Sequence, residues 1–157
     1  MRILLLSDTH NDTNRIDTIL EQCGKVHQII HCGDVEQDVE YLSYVLPDLT
    51  PILSVSGNNE WYAEKPYQSV QEFGGIRFYI THGHTERVKA GYDGLLRKAT
   101  EHQCQVVLYG HTHKQTDETI DGIRLINPGA VCYPSCTYAL LTITNKNLQI
   151  EFFTCDS

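Results

Sequence analysis

The stretch LYGHTHK, residues 108–114, sets two histidines, His111 and His113, just beyond an apolar run. Paired imidazoles are common, so their meaning depends on whether other apolar runs end the same way. Four do. Arg2–Leu6 is followed by SDTH, with Asp8 and His10, and Gln28–His31 leads into HCGD, with Asp34. Pro51–Ser56 leads into SGNNE, with Asn58 and Asn59, and Ile76–Ile80 into THGH, with His82 and His84. Short runs of Ile, Leu and Val bounded by Gly and polar residues read as buried strands. In open α/β folds, functional residues gather beyond the carboxyl ends of such strands. Polar residues are ordinary in loops, but five strand ends enriched in Asp, His and Asn point to one shared site.

Between these strands the period changes. In NDTNRIDTILEQC, residues 11–23, Ile16, Ile19, Leu20 and Cys23 form a helical stripe, and residues 38–46 predict a second helix. Strand, helix, strand, helix, strand argues for parallel strands covered by helices. The second half is richer in hairpins. SVQEFGGIRFYITHG turns at Gly74-Gly75, TDETIDGIRLIN at Asp121-Gly122, and YALLTITNKNLQIEFFT near residues 145–147. One more helix, carrying Tyr92, Leu95, Leu96 and Ala99, precedes the strand Val106–Tyr109. So many apolar strands fit two packed sheets with helices outside better than one wide sheet. With no linker, repeat or low-complexity tract, residues 1–157 read as a single domain.

Composition narrows the classes of function. Twelve basic against 20 acidic residues give a formal charge of −8, which disfavours non-specific nucleic-acid binding. No stretch approaches the roughly 18 apolar residues of a membrane span. MRILLLSDTH has too short an apolar core for a secretory signal, so a cytoplasmic protein is expected. Its six cysteines are then expected to be reduced and packed as small hydrophobes.

The ligand types also carry chemistry. Carboxylate, imidazole and amide oxygen, with no thiolate in an obvious ligand position, suit Mn, Fe, Zn, Co or Ni. On extended backbone, residues two apart point to one side about 6.6 Å from each other. Asp8 and His10 can then close on one ion, and His111 and His113 can straddle two ions roughly 3.5–4 Å apart.

The motifs DTH, GD, GNN, HGH and GHTH, in this order, resemble those of the calcineurin-like metallophosphoesterases. The likeness extends to their small, single-domain, YfcE-like phosphodiesterase branch, since NPGA at residues 127–130 resembles its NPGS loop. The resemblance implies a four-layer αββα sandwich of two mixed sheets flanked by helices, holding two divalent ions, with Mn2+ the expected metal. It further implies that Asp8, His10 and His113 hold the first ion and Asn58, His82 and His111 the second, with Asp34 bridging them. A hydroxide between the ions would attack phosphorus in line, with Asn58 positioning the phosphate. Small relatives of this kind form dimers or tetramers.

Several positions depart from the pattern. Asn11 stands in place of Gly, Gln115 in place of Pro, and Ala130 in place of Ser. Asn59 stands where larger relatives carry a histidine that protonates the leaving group, and Asn cannot do that. His84 is the candidate proton donor, while Asn59 and Lys114, the only basic residue inside the motifs, are candidates for substrate contact. His31 is expected to pack at a strand end or orient a ligand, and His27 and His102 to lie at the surface. Trp61 and Tyr62 are expected to be buried or at a subunit contact, with stacking on a base or aryl group as the other reading.

The expected activity is hydrolysis of a small phosphate ester, with a diester favoured. Two dications against Asp8, Asp34 and a hydroxide leave one net positive charge, which matches a diester monoanion. A phosphomonoesterase or nucleotidase with the same centre is the alternative. A non-catalytic scaffold, as in the retromer subunit that shares this fold, is disfavoured because every ligand histidine is present.

Overall fold

The computed structural model describes residues 1–46, 49–60 and 62–155. Among them the chain runs β1 (Arg2–Leu6), α1 (Thr13–Cys23), β2 (Gln28–His31), α2 (Glu36–Val45) and β3 (Ile52–Ser54). It continues through β4 (Gln68–Phe73), β5 (Ile76–Thr81), a 3-10 turn (Val88–Ala90), α3 (Asp93–Glu101) and β6 (Val106–Leu108). The last four strands are β7 (Gln115–Ile120), β8 (Ile123–Pro128), β9 (Thr137–Thr144) and β10 (Asn147–Thr154). Every strand and helix expected from periodicity is present, with ends shifted by a residue or two.

The strands form two five-stranded sheets, ordered β10-β9-β1-β2-β3 and β4-β5-β6-β8-β7. Each sheet is mixed: β1, β2 and β3 are mutually parallel in the first, and β5, β6 and β8 in the second. The alternation of side chains along β1 builds the layers. Ile3 and Leu5 face the second sheet and pack with Phe78, Ile80, Leu108 and Ile126. Leu4 and Leu6 face the other way, onto Ile16 and Ile19 of α1 and Leu42 of α2. Burying a side chain of this size stabilises the fold by about 1.5–3 kcal/mol, and β1 does so on both faces. A third cluster, Tyr79, Val107 and Leu125 against Leu95 and Ala99, fixes α3 on the far side of the second sheet. The result is a four-layer αββα sandwich.

Local chemistry sets the element ends. Asp12 caps α1 by accepting from the Arg15 backbone N–H at 3.3 Å, and Gly24, at φ 65°, ends it. The β7–β8 turn places Asp121 and Gly122 both at positive φ, the primed geometry that matches the twist of a two-residue hairpin. No helix among the described residues is long and apolar enough to cross a membrane.

One expectation fails here. Cys136 and Cys155 form a disulfide, with Cα atoms 5.3 Å apart. Thr137 of β9 pairs with Thr154 of β10, so the residues flanking that last rung face each other. Nineteen positions separate the two cysteines, and only the β9–β10 register reveals the pairing. Cys23, Cys32 and Cys104 are free and buried, as expected.

Candidate metal centre

The parallel strands of both sheets end at one rim, and the loops there are tied across the sandwich. The Asp8 N–H donates to Gly33 O at 2.9 Å and the Thr9 N–H to Asp34 O at 2.8 Å, joining the loops after β1 and β2. The Gly110 N–H donates to His82 O at 3.0 Å, joining those after β5 and β6. Two glycines permit this closeness. A Cβ on Gly57 would strike the Asp34 carboxylate, and one on Gly110 would strike Ser7 and Asp8.

Backbone geometry at the rim differs from the expectation. Asp8, His10, Asp34, His111 and His113 all have positive φ, between 47° and 67°. The reasoning that residues two apart share a side because the chain is extended is therefore wrong for both histidine motifs. Left-handed turns, which Asp and His tolerate better than most residues, aim these side chains. Such conformations cost about 1–3 kcal/mol each and concentrate at functional sites.

At the centre lies a buried group of Asp8, Asp34 and His82. His82 Nδ1 is 2.7 Å from Cys32 O, a carbonyl that can only accept, so the ring proton sits on Nδ1. Its Nε2 then faces three oxygens: Asn58 Oδ1 at 3.0 Å, Asp34 Oδ2 at 3.5 Å and Asp8 Oδ1 at 3.9 Å. A nitrogen and three oxygens converging in this way can hold a cation that displaces any proton between them, and oxygen and imidazole donors suit a borderline dication. The residues fit a metal ion.

The remaining expected ligands surround this group. His113 Nε2 is 3.0 Å from Asp8 Oδ1, and His10 Nε2 is 3.7 Å from Asp34 Oδ2. The His111 ring is 4.9 Å from that of His82. All seven residues are thus brought to one place. Two groups of ligand-type side chains form there: the buried Asp8, Asp34 and His82, and the outer His10, His113 and Cys132.

Charges respond accordingly. Burial pushes the Asp8 carboxyl up, but the hydrogen bonds from His113 and Ser7 and the nearby His82 outweigh it and hold it below the usual range. Its hydrogen bond to Asp8 raises His113. Burial, followed by His82 and Lys89, lowers His111 to about 4. Burial, followed by His82, also lowers His84.

The secondary candidates separate. His84 lies with its ring 5.4 Å from His82 and 6.2 Å from His111, and its Nδ1 is buried without a hydrogen-bond partner among the described residues. Asn59, expected at the substrate, directs both donors at Asp34: its N–H to Oδ1 at 3.1 Å and its Nδ2 to Oδ2 at 2.6 Å. Lys114 is exposed. His31 is fully buried and fixes the β1 and β2 loops, accepting from the Gly33 N–H at 3.2 Å and bonding Thr9 Oγ1 at 3.0 Å. Tyr62 is 86% exposed and so is not buried within the chain, which leaves the subunit contact and the stacking reading, and Trp61 lies outside the described residues.

Four residues escaped the sequence reading. Ser7 donates to Asp8 Oδ2 at 2.5 Å, a role its place beside the DTH motif could have signalled. Asn127 holds the GHTH loop, donating to Gly110 O at 2.9 Å and Thr112 Oγ1 at 3.0 Å, and it stands in the NPGA segment. Lys89, rather than Lys114, is the cation whose charge reaches His111 and His113. Cys132, beyond the end of β8, had no pattern to announce it.

Comparison with known proteins agrees with this geometry. Residues 1–146 match the family model described as the calcineurin-like phosphoesterase superfamily domain. A probable metallophosphoesterase of Mycoplasma pneumoniae is 33% identical, over 94% of this chain and 90% of its own. A phosphodiesterase of Methanocaldococcus jannaschii is 31% identical, over 84% and 85% respectively. The crystal structure of a predicted phosphoesterase from Streptococcus pneumoniae superposes with a TM-score of 0.78 at 29% identity, covering 98% of this chain and 88% of that one.

Proposed function

Because this chain belongs to the calcineurin-like phosphoesterase superfamily, we propose that it is a metal-dependent phosphodiesterase of the small, YfcE-like kind. The observation that carries the reading is the convergence of His82 Nε2 with the oxygens of Asn58, Asp34 and Asp8.

Asp8, His10 and His113 would hold one ion, and Asn58, His82 and His111 the other, with Asp34 between them. Oxygen and imidazole donors of this kind suit Mn, Fe, Zn, Co or Ni, and Mn2+ is the ion that the family resemblance implies. Bound ions would supply charge neutralisation on the phosphoryl oxygens and a water acidic enough to attack phosphorus near neutral pH. The chain's own residues do the rest. Cys32 O fixes the His82 tautomer, and Asn59 holds both Asp34 oxygens so that the carboxylate cannot turn away. Asn58 uses its amide oxygen at His82 and leaves its Nδ2 for a phosphate oxygen. His84 sits beside the centre, its ring 5.4 Å from that of His82 and its Nδ1 unpartnered among the described residues, and is the group placed to protonate a departing alkoxide.

Asp8 and Asp34 limit the net positive charge of the loaded centre, which favours a diester monoanion; Lys89 narrows that preference. The test is kcat/KM for bis(p-nitrophenyl) phosphate against p-nitrophenyl phosphate with Mn2+, before and after chelation. Both activities should vanish on metal removal and return with Mn2+, with the diester cleaved faster. A monoester value about tenfold above the diester value, a difference of roughly 1.4 kcal/mol, replaces the diesterase reading with a phosphomonoesterase. Full activity in metal-free protein removes the mechanism altogether.

A further inference from the structure

Five strand ends supply the expected ligands, but the rim has a sixth, the carboxyl end of β8, parallel to β6. The loop after it is pinned to the centre by backbone. The Cys132 N–H donates to Asp8 O at 3.0 Å and the Val131 N–H to Ser7 O at 3.2 Å. From outside, the Arg15 guanidinium donates to Val131 O at 2.9 Å and to Ser135 O. So held, Cys132 brings its Sγ to 4.0 Å from Nδ1 of His113, whose Nε2 faces Asp8. Ligand atoms of His10, His113 and Cys132 all lie within 4.8 Å of one another.

A tetrahedral ion with bonds of about 2.0–2.1 Å to nitrogen and about 2.3 Å to sulfur places such atoms roughly 3.6 Å apart. The three atoms thus need to close by about an ångström at most. None of the three residues is buried, unlike Asp8, Asp34 and His82, so the closing movement falls on side chains with room to turn.

We propose that Cys132, with His10 and the Nδ1 edge of His113, forms a metal position on the outer side of the centre, a set of two imidazoles and a thiolate that takes Zn2+ before Mn2+. On binding, the ion replaces the S–H proton, which leaves to solvent. Thiolate is the soft donor that the seven expected ligands lack, and a soft donor discriminates most strongly against Mn2+. The inference rests on the dimetal reading above and goes beyond it, since the seven expected donors include no thiolate to widen the preference for Zn2+ over Mn2+.

The experiment uses the full chain, purified metal-free, as wild type and as Cys132→Ser. Each is equilibrated with equimolar Zn2+ and Mn2+ and its metal content measured; separately, each is loaded with Co2+ and its absorption recorded. The wild type should show a thiolate-to-cobalt charge-transfer band in the near ultraviolet. Cys132→Ser should lose that band, and its ratio of Zn2+ to Mn2+ should fall by about tenfold or more. A variant that still binds two ions but keeps both the band and the ratio overturns this inference alone. A wild type that binds no dication overturns the dimetal reading as well.

Discussion

Asn59 gives the sharpest test of how the centre is held. Its Nδ2 donates to Asp34 Oδ2 at 2.6 Å while its backbone N–H reaches Oδ1 at 3.1 Å, so Asn59→Ala deletes the first bond and leaves the second. A hydrogen bond to a charged group contributes about 1.5–3 kcal/mol. Asp34 is buried but Asn59 is exposed, and water can replace part of what is lost. The lower end, about 1.5 kcal/mol, is therefore expected, equivalent to roughly tenfold in metal affinity. The assay is calorimetric titration of metal-free protein with Mn2+ against a competing chelator, paired with KM for a diester at saturating metal. Weaker metal binding with KM unchanged is the expected result. Metal affinity within about twofold of wild type, together with a raised KM, would place Asn59 on the substrate and refute the clamp.

Asp34→Ala should lose more metal and more activity than His10→Ala, because Asp34 is buried between His82 and His10 whereas His10 is half-exposed; metal analysis showing both sites filled in Asp34→Ala would remove the bridge. Burial lowers His31 to about 4 from an ordinary 6.5, so below pH 6.5 the unfolded chain takes up a proton that the folded chain refuses. The metal-free protein should accordingly lose up to about 3 kcal/mol of stability as pH falls from 6.5 to 4. Urea unfolding at stepped pH should show a shallower loss in His31→Asn, and identical slopes would refute the assignment.

The amino-acid order by itself determined the layers and the ligand types. A period of two along Ile3, Leu4, Leu5 and Leu6 requires two buried faces, and a strand with two buried faces requires a sheet on one side and helices on the other. Residues spaced by one strand or one helical turn interact over a few bonds, so that pattern is legible without knowing where the chain goes next. Asp, His and Asn at successive strand ends were legible for the same reason. Tertiary structure alone decided the distances between loops. Asp8 meets His113 across 105 positions and the Cys132 N–H meets Asp8 O, contacts set by how two sheets stack rather than by any local propensity. The positive φ of five expected ligands, the closing of Asn59 on Asp34 and the pairing of Cys136 with Cys155 belong to the same class. Each depends on a loop's position relative to a distant neighbour, which the packed core fixes only after every layer is in place.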